Sequence, residues 1–275
     1  MVLWQISDLH FGKYNVLEPE PRELAAMLAK AATDYPTLAP HVLLVSGDVS
    51  SIAADNEFDE FVQFCSDVSG FLGKSRSAPP ILVVPGNHDV HWMADGTADR
   101  MKGFRERVSN QGCCITPFGP ASEERGAGSI SIIRVDPNSD STPPFATVRF
   151  KDLDLEIVLL ISGYFSGSVP KEVRDTVTAS PSKDELEKLL RCDQGAVNRE
   201  YLLNLATMPS PSTAYRLGLI HHNPVQYGTA PCANRLAPQF LETLFKHGVR
   251  VVLHGHVHLS EDYSSSRPVS PKLAS

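Results

Sequence analysis

Short unbroken apolar runs alternate along this chain with longer stretches in which apolar residues recur at helical spacing. The runs fall within Val2–Ile6, His41–Asp48 and Pro79–Asp89, with cores "VLWQI", "VLLV" and "ILVV". Between them, Pro21–Tyr35 sets Leu24, Met27, Leu28 and Ala31 on one predicted helical face. Asn56–Leu72 does the same with Phe58, Phe61, Val62, Cys65 and Val68. Unbroken apolar runs of strand length predict strands covered on both faces, and their alternation with helices predicts β-α-β units.

The middle of the chain is less regular. Strands are expected near Ser129–Val135, Phe145–Phe150 and Leu155–Ile161. Ser182 and Glu185 stand in capping-box register, which predicts a helix start in "SKDELEKLL". A second helix is expected over Asn198–Ala206. Pro and Ser cluster at Asp136–Pro144 and Pro209–Thr213, which read as loops. A strand in "AYRLGLIHHNP", a helix over Ala237–Gly248 closed by glycine, and a strand at Val251–Leu253 complete the series. There is no internal repeat.

Five of the predicted strands end in polar clusters: "SDLH", "SGD", "PGNHD", "HHNP" and "HGHVH". They supply Asp8 and His10, then Asp48, then Asn87 and His88, then His221, then His256 and His258. The carboxyl ends of strands are where α/β proteins carry their functional groups. Carboxylate, amide oxygen and imidazole form the donor set of Mn, Fe or Zn. The absence of cysteine from the clusters argues against a structural zinc site. Asp8, His10, Asp48, Asn87, His221, His256 and His258 are too many ligands for one ion. They suit two ions sharing a bridging carboxylate, an arrangement that clamps an in-line displacement at phosphorus and activates water. Each of the first four clusters alone is more often a turn, a cap or a surface pair, and "GHVH" is the stronger signal. The conjunction of all five, each after an apolar strand, points to one site. In the last, His256 and His258 point to one side of an extended segment. Gly255 would let the backbone come close to the ions.

Net charge is −7. Nonspecific nucleic-acid affinity comes mainly from Lys and Arg neutralising phosphates, so a long polyanion is a poor match and a small phosphoester held by local cations a better one. Five scattered cysteines with no C-x-x-C pair do not form a disulfide framework. The N-terminus lacks a signal-peptide pattern, and no run of about 18 apolar residues exists. These features predict a cytoplasmic protein without a membrane partner.

The ordered clusters resemble the signature of the calcineurin-like metallophosphoesterases: D-x-H, G-D, G-N-H-D, H-x-P and G-H-x-H, spread over Ile6–His258. The resemblance implies a four-layer α/β/β/α sandwich over residues 1–260. The long interval from His88 to His221 points to a cap or insertion within 92–215, and the polar composition of "SSSRPVSPKLAS" to a flexible tail at 261–275. The resemblance assigns Asp8, His10 and His258 to one metal ion and Asn87, His221 and His256 to the other, with Asp48 bridging. His88 would donate a proton to the leaving oxygen or hold the phosphate. His221, not His222, matches the H-x-P histidine. Asp89, His91, His222 and His254 are candidates to orient the ligands or line a substrate pocket. His41 and His247 have no motif around them and are expected to be structural or exposed.

The stretch "GDVSSIAADNEFDEF" lacks the arginine that the family's protein phosphatases carry after G-D. With "GAVNREYLLNL", it resembles the cyclic-nucleotide phosphodiesterase branch. The expected activity is dimetal hydrolysis of a small or cyclic nucleotide or similar diester. A nuclease domain of a larger DNA-processing protein and a non-catalytic binding module are the alternatives. The family usually extends further past its last histidine motif, so a further domain is expected, and a homodimer is a second expected partner.

Overall fold

In the computed structural model the described residues are 1–12, 20–73, 77–91, 100–135, 143–164, 166, 195, 197, 199–208, 210–211, 215–224 and 238–256. Strands β1 (Leu3–Ile6), β2 (Val42–Val45) and β3 (Ile81–Val83) form a parallel sheet in that order. Ile6 pairs with Val45, and Val45 with Val83, so the three strands end flush. The second sheet runs β4 (Ser122–Arg125), β5 (Ile130–Val135), β6 (Phe145–Phe150), β7 (Leu155–Leu159), β8 (Tyr215–Leu219) and β9 (Val251–Leu253). Its first four strands are antiparallel, and β7, β8 and β9 are mutually parallel.

The unbroken apolar runs now have their cause. In β2, Leu43 and Val45 face a core shared with helices α1 (Pro21–Asp34) and α2 (Asp55–Leu72), while Val42 and Leu44 face the second sheet. β3 repeats the pattern, with Ile81 and Val83 on one side and Leu82 on the other. In the second sheet, Leu155, Ile157 and Leu159 point to the core between the sheets. Val158 points outward onto Tyr201 and Leu205 of α3 (Arg199–Leu205) and Phe240 and Leu244 of α4 (Pro238–Lys246). In β2 and β3 each alternate residue meets a different apolar layer, so no polar position is left there; β7 admits one, Glu156, which is buried against Arg216 of β8. The result is the four-layer α/β/β/α sandwich expected from the sequence.

Some details differ. In α1 the fully buried residue is Ala25, flanked by half-buried Leu24, Leu28, Ala29 and Ala32, whereas Met27 is 59% exposed. The helix packs through small residues on α2, and a long side chain at Met27 points to solvent. Strand β4, "SEER", carries no apolar periodicity and was not predicted. It is an edge strand held by its pairing to β5 and by Glu123, which meets both Arg125 and Arg134. Residues 100–135, 143–164 and 199–208 of the interval expected to hold a cap belong largely to the sandwich itself. Most of the remainder of that interval, including the predicted helix at Ser182, lies outside the described residues. So do the tail at 261–275 and, of the loops predicted at Asp136–Pro144 and Pro209–Thr213, residues 136–142, 209 and 212–213. Cys65, Cys113 and Cys114 are free thiols. Among the described residues no helix is long and apolar enough to cross a membrane.

Candidate metal centre

Beyond the flush ends of β1 and β2 the chain keeps running in parallel. Asp8 N–H donates to the Gly47 carbonyl (3.1 Å), His10 N–H to that of Asp48 (3.0 Å) and Phe11 N–H to that of Val49 (3.0 Å). Asp8, His10 and Asp48 adopt φ of 57°, 46° and 52°, and His256, after β9, adopts 68°. Among the described residues these are four of the seven non-glycine residues with positive φ. Such backbone costs on the order of 1–3 kcal/mol per residue and persists where its surroundings over-determine it, most often at functional sites.

Asp89 fastens the loop after β2 to the loop after β3. Its fully buried carboxylate accepts the N–H groups of Ser50 (2.8 Å), Gly86 (2.8 Å) and Val49 (3.3 Å), and the Ser50 hydroxyl (2.8 Å). Burial, and then the charge of Asp48, push its pKa up to about 6 against the pull of those donors. Gly86 lets the loops touch: a Cβ there would stand 2.1 Å from Asp48 Oδ1.

Asp48 itself is fully buried. Its Oδ1 accepts the His88 N–H at 2.9 Å. Its Oδ2 lies 3.3 Å from His221 Nε2 and 3.8 Å from His10 Nε2, and has no hydrogen-bond partner among the described residues. Burial would raise its pKa, but His221 and then His88 hold it well below the usual carboxylate range. His221 Nε2 is also 2.6 Å from Asn87 Oδ1 and 3.2 Å from His256 Nδ1. Asp8 Oδ2 accepts the His256 N–H (3.2 Å) and the Ser7 hydroxyl. Burial alone would depress the His221 pKa. Asp48 foremost, with Asp8 and the Ser46 carbonyl, instead raises it to about 9.

These donors fit metal ions. A buried carboxylate oxygen without a hydrogen bond normally costs free energy, and here it sits between two sets of imidazole and amide donors. The field of Asp48 and Asp8 favours a positive charge where those donors meet. One group that could hold an ion joins Asp8, Asp48 and His221, and another joins His10, Asp48 and His88, with donor atoms within 4.8 Å of one another in each. Six of the seven predicted ligands are thus brought together, and His258 lies outside the described residues.

The surrounding histidines divide. His222 is fully buried, packs on His256 with ring centroids 4.4 Å apart, and could join His221 and His256 around an ion. Its Nδ1 lies 2.8 Å from the Ser162 hydroxyl. His254 is half-buried, and its carbonyl accepts Gln5 Nε2 at 2.8 Å. His91 is exposed, and its backbone pairs with Arg100. His41 is exposed too, and its ring accepts the Val2 N–H at 3.0 Å. Gly255 keeps its role with a change: the left-handed turn belongs to His256, and Gly255 serves close approach, since a Cβ would meet Ser7 Oγ at 2.6 Å and Asp8 Oδ2 at 3.0 Å.

Three supporting groups were not foreseen. The Ser46 carbonyl accepts His221 Nδ1 (2.8 Å), the Ser51 carbonyl accepts His88 Nδ1 (2.7 Å), and Ser162 holds His222. Every residue owns a carbonyl, so nothing in the sequence marks the first two. Ser162, a polar residue closing a buried apolar run, was the one signal available.

The sequence model of the calcineurin-like phosphoesterases matches residues 1–260. No curated protein matches the chain. Among solved structures, a purple acid phosphatase from seeds of yellow lupin (Lupinus luteus) is similar, with 13% identity and a TM-score of 0.47. The alignment covers 93% of this chain and 37% of the lupin chain, so this chain spans little over a third of that relative's length.

Proposed function

This chain belongs to the calcineurin-like phosphoesterase family, and on that premise we propose that it is a two-metal phosphodiesterase acting on a small or cyclic nucleotide or a similar diester. The observation that carries this reading is Asp48 Oδ2, buried between His221 Nε2 and His10 Nε2 without a hydrogen bond among the described residues. In it, Asp8, His10 and His258 would hold one ion and Asn87, His221 and His256 the other, with Asp48 placed to serve both. Mn, Fe or Zn suits this donor set. Two such ions offset the charge of a phosphodiester and activate water against it.

The remaining chemistry falls to side chains. A carbonyl can only accept, so the Ser51 contact fixes the proton on His88 Nδ1, and Nε2 is the ring atom that would act on the substrate. The role of His88 in this reading is to give a proton from Nε2 to the leaving oxygen. The loop after Asp48 supports a small substrate over a phosphoprotein. It holds no arginine, and Glu57 closes it by accepting the N–H groups of Ser51, Ile52 and Ala54 at 3.0–3.2 Å.

Metal analysis of the purified protein tests the reading, together with hydrolysis of bis(4-nitrophenyl) phosphate, cyclic nucleotides, 4-nitrophenyl phosphate and DNA. Metal-stimulated diester cleavage that Asp48→Asn abolishes is expected. Cleavage that survives this change unaltered overturns the site. A strong preference for DNA favours a nuclease, and a protein that takes up no metal favours a binding module.

A further inference from the structure

Beside the proposed centre lies a cavity of about 300 Å³, lined by Ser51, Ile52, His88 and Val90. The His88 ring stands edge-on to that of His10, with centroids 4.8 Å apart, so the cavity begins where the donor cluster ends. Val90 is 1% exposed and makes a floor, while Ile52 is 75% exposed and makes a lip. The polar groups of Ser51 are used elsewhere. Its hydroxyl donates to the His10 carbonyl, its N–H to Glu57, and its carbonyl accepts His88 Nδ1. Among the described residues, what remains is hydrocarbon with one imidazole edge. No Lys, Arg, Asp or Glu lines it among the described residues.

We propose that this cavity is the leaving-group subsite, and that Ile52 selects a leaving group with a large apolar ring over one with a smaller ring. The inference rests on the phosphodiesterase reading. An ester oxygen that meets His88 carries its own substituent into the space His88 lines. That space is at the small end of the roughly 300–1,000 Å³ typical of ligand pockets, so it holds a fragment of a small molecule. Extra apolar ring surface enclosed by hydrocarbon walls is worth about ten-fold in discrimination.

The test compares phenyl methyl phosphate with 2-naphthyl methyl phosphate, whose leaving groups have similar acidity and differ in apolar size. With Mn²⁺-loaded protein, kcat/KM is expected to favour the naphthyl ester about ten-fold. Ile52→Asn should bring the ratio near one, and Ile52→Leu should keep it. A ratio unchanged by Ile52→Asn overturns the subsite. Fluorescence binding of methyl (2-naphthylmethyl)phosphonate, which carries CH₂ in place of the leaving oxygen, reads the cavity without turnover. Binding weakened about ten-fold by Ile52→Asn in a protein that cleaves no diester upholds the cavity as a ring-binding site and rejects the phosphodiesterase reading. Brisk diester cleavage with no size preference, and binding indifferent to Ile52→Asn, does the reverse.

Discussion

His221 and Ser46 are 175 residues apart in the chain, and the imidazole Nδ1 of one lies 2.8 Å from the carbonyl oxygen of the other. The contact ties the second sheet to the first at their shared carboxyl edge. Because the carbonyl can only accept, it fixes the proton on Nδ1. Nε2 is thereby presented to Asp48, Asn87 and His256. Partners of this kind set the orientation and tautomer of metal-binding histidines.

The same close meeting of loops makes Gly86→Ala a severe change. The new Cβ would lie 2.1 Å from Asp48 Oδ1 and 2.4 Å from Asp48 N, and the backbone cannot swing aside as a side-chain tip can. Stability is expected to fall by about 1–3 kcal/mol. Mn²⁺ affinity should weaken about 10–100-fold. Thermal denaturation with and without Mn²⁺ measures both.

Replacing His88 separates its two roles. Its ring belongs to the group with His10 and Asp48, yet its proposed task is proton donation. His88→Asn is expected to lower kcat by about 10²–10⁴-fold while metal content stays at two ions per chain. Loss of one ion in metal analysis would make His88 a ligand.

Glu123 governs an acid-sensitive element of the β4 edge. Burial alone would raise its pKa, but Arg125 and Arg134 outweigh it and hold it below the usual glutamate range. A carboxylate depressed in the folded state stabilises the protein above its unfolded pKa and ceases to do so as pH falls through its folded pKa. Glu123→Gln should therefore cost about 1–2 kcal/mol at pH 7. Urea denaturation at descending pH should show the gap between variant and parent closing below the carboxylate range.

Glu156 and Arg216 pair across β7 and β8 with Arg216 Nε donating to Glu156 Oε2 at 2.8 Å, both nearly fully buried. Glu156→Leu leaves a guanidinium in the interior without its carboxylate and should cost about 3–5 kcal/mol. Adding Arg216→Met should recover most of that loss. Equilibrium denaturation of the two variants decides it.

Much of the molecule could be read from the chain. Residues 42–45 and 81–83 are unbroken apolar runs because each alternate side chain enters a different core. Burial on both faces therefore leaves a mark on residue type. Asp8, His10, Asp48, Asn87, His221 and His256 announced themselves by chemistry and by following such runs. Strand β4 left no mark, since "SEER" is held by backbone pairing and ion pairs rather than by apolar burial. Met27 misled because helical spacing gives a stripe but not which edge of it meets the neighbouring helix.

The sequence by itself determined the alternation of the apolar strands with helices and the residue types gathered at their carboxyl ends. Both depend on side-chain chemistry and its period along the chain. Only the tertiary structure decided that Asp48 Oδ2 lies between His10 and His221, that Ser46 and Ser51 fix two imidazoles by their carbonyls, and that Ile52 overhangs a cavity beside His88. Those facts depend on distances between segments remote in sequence and on backbone groups that every residue shares. No pattern of residue types can carry them.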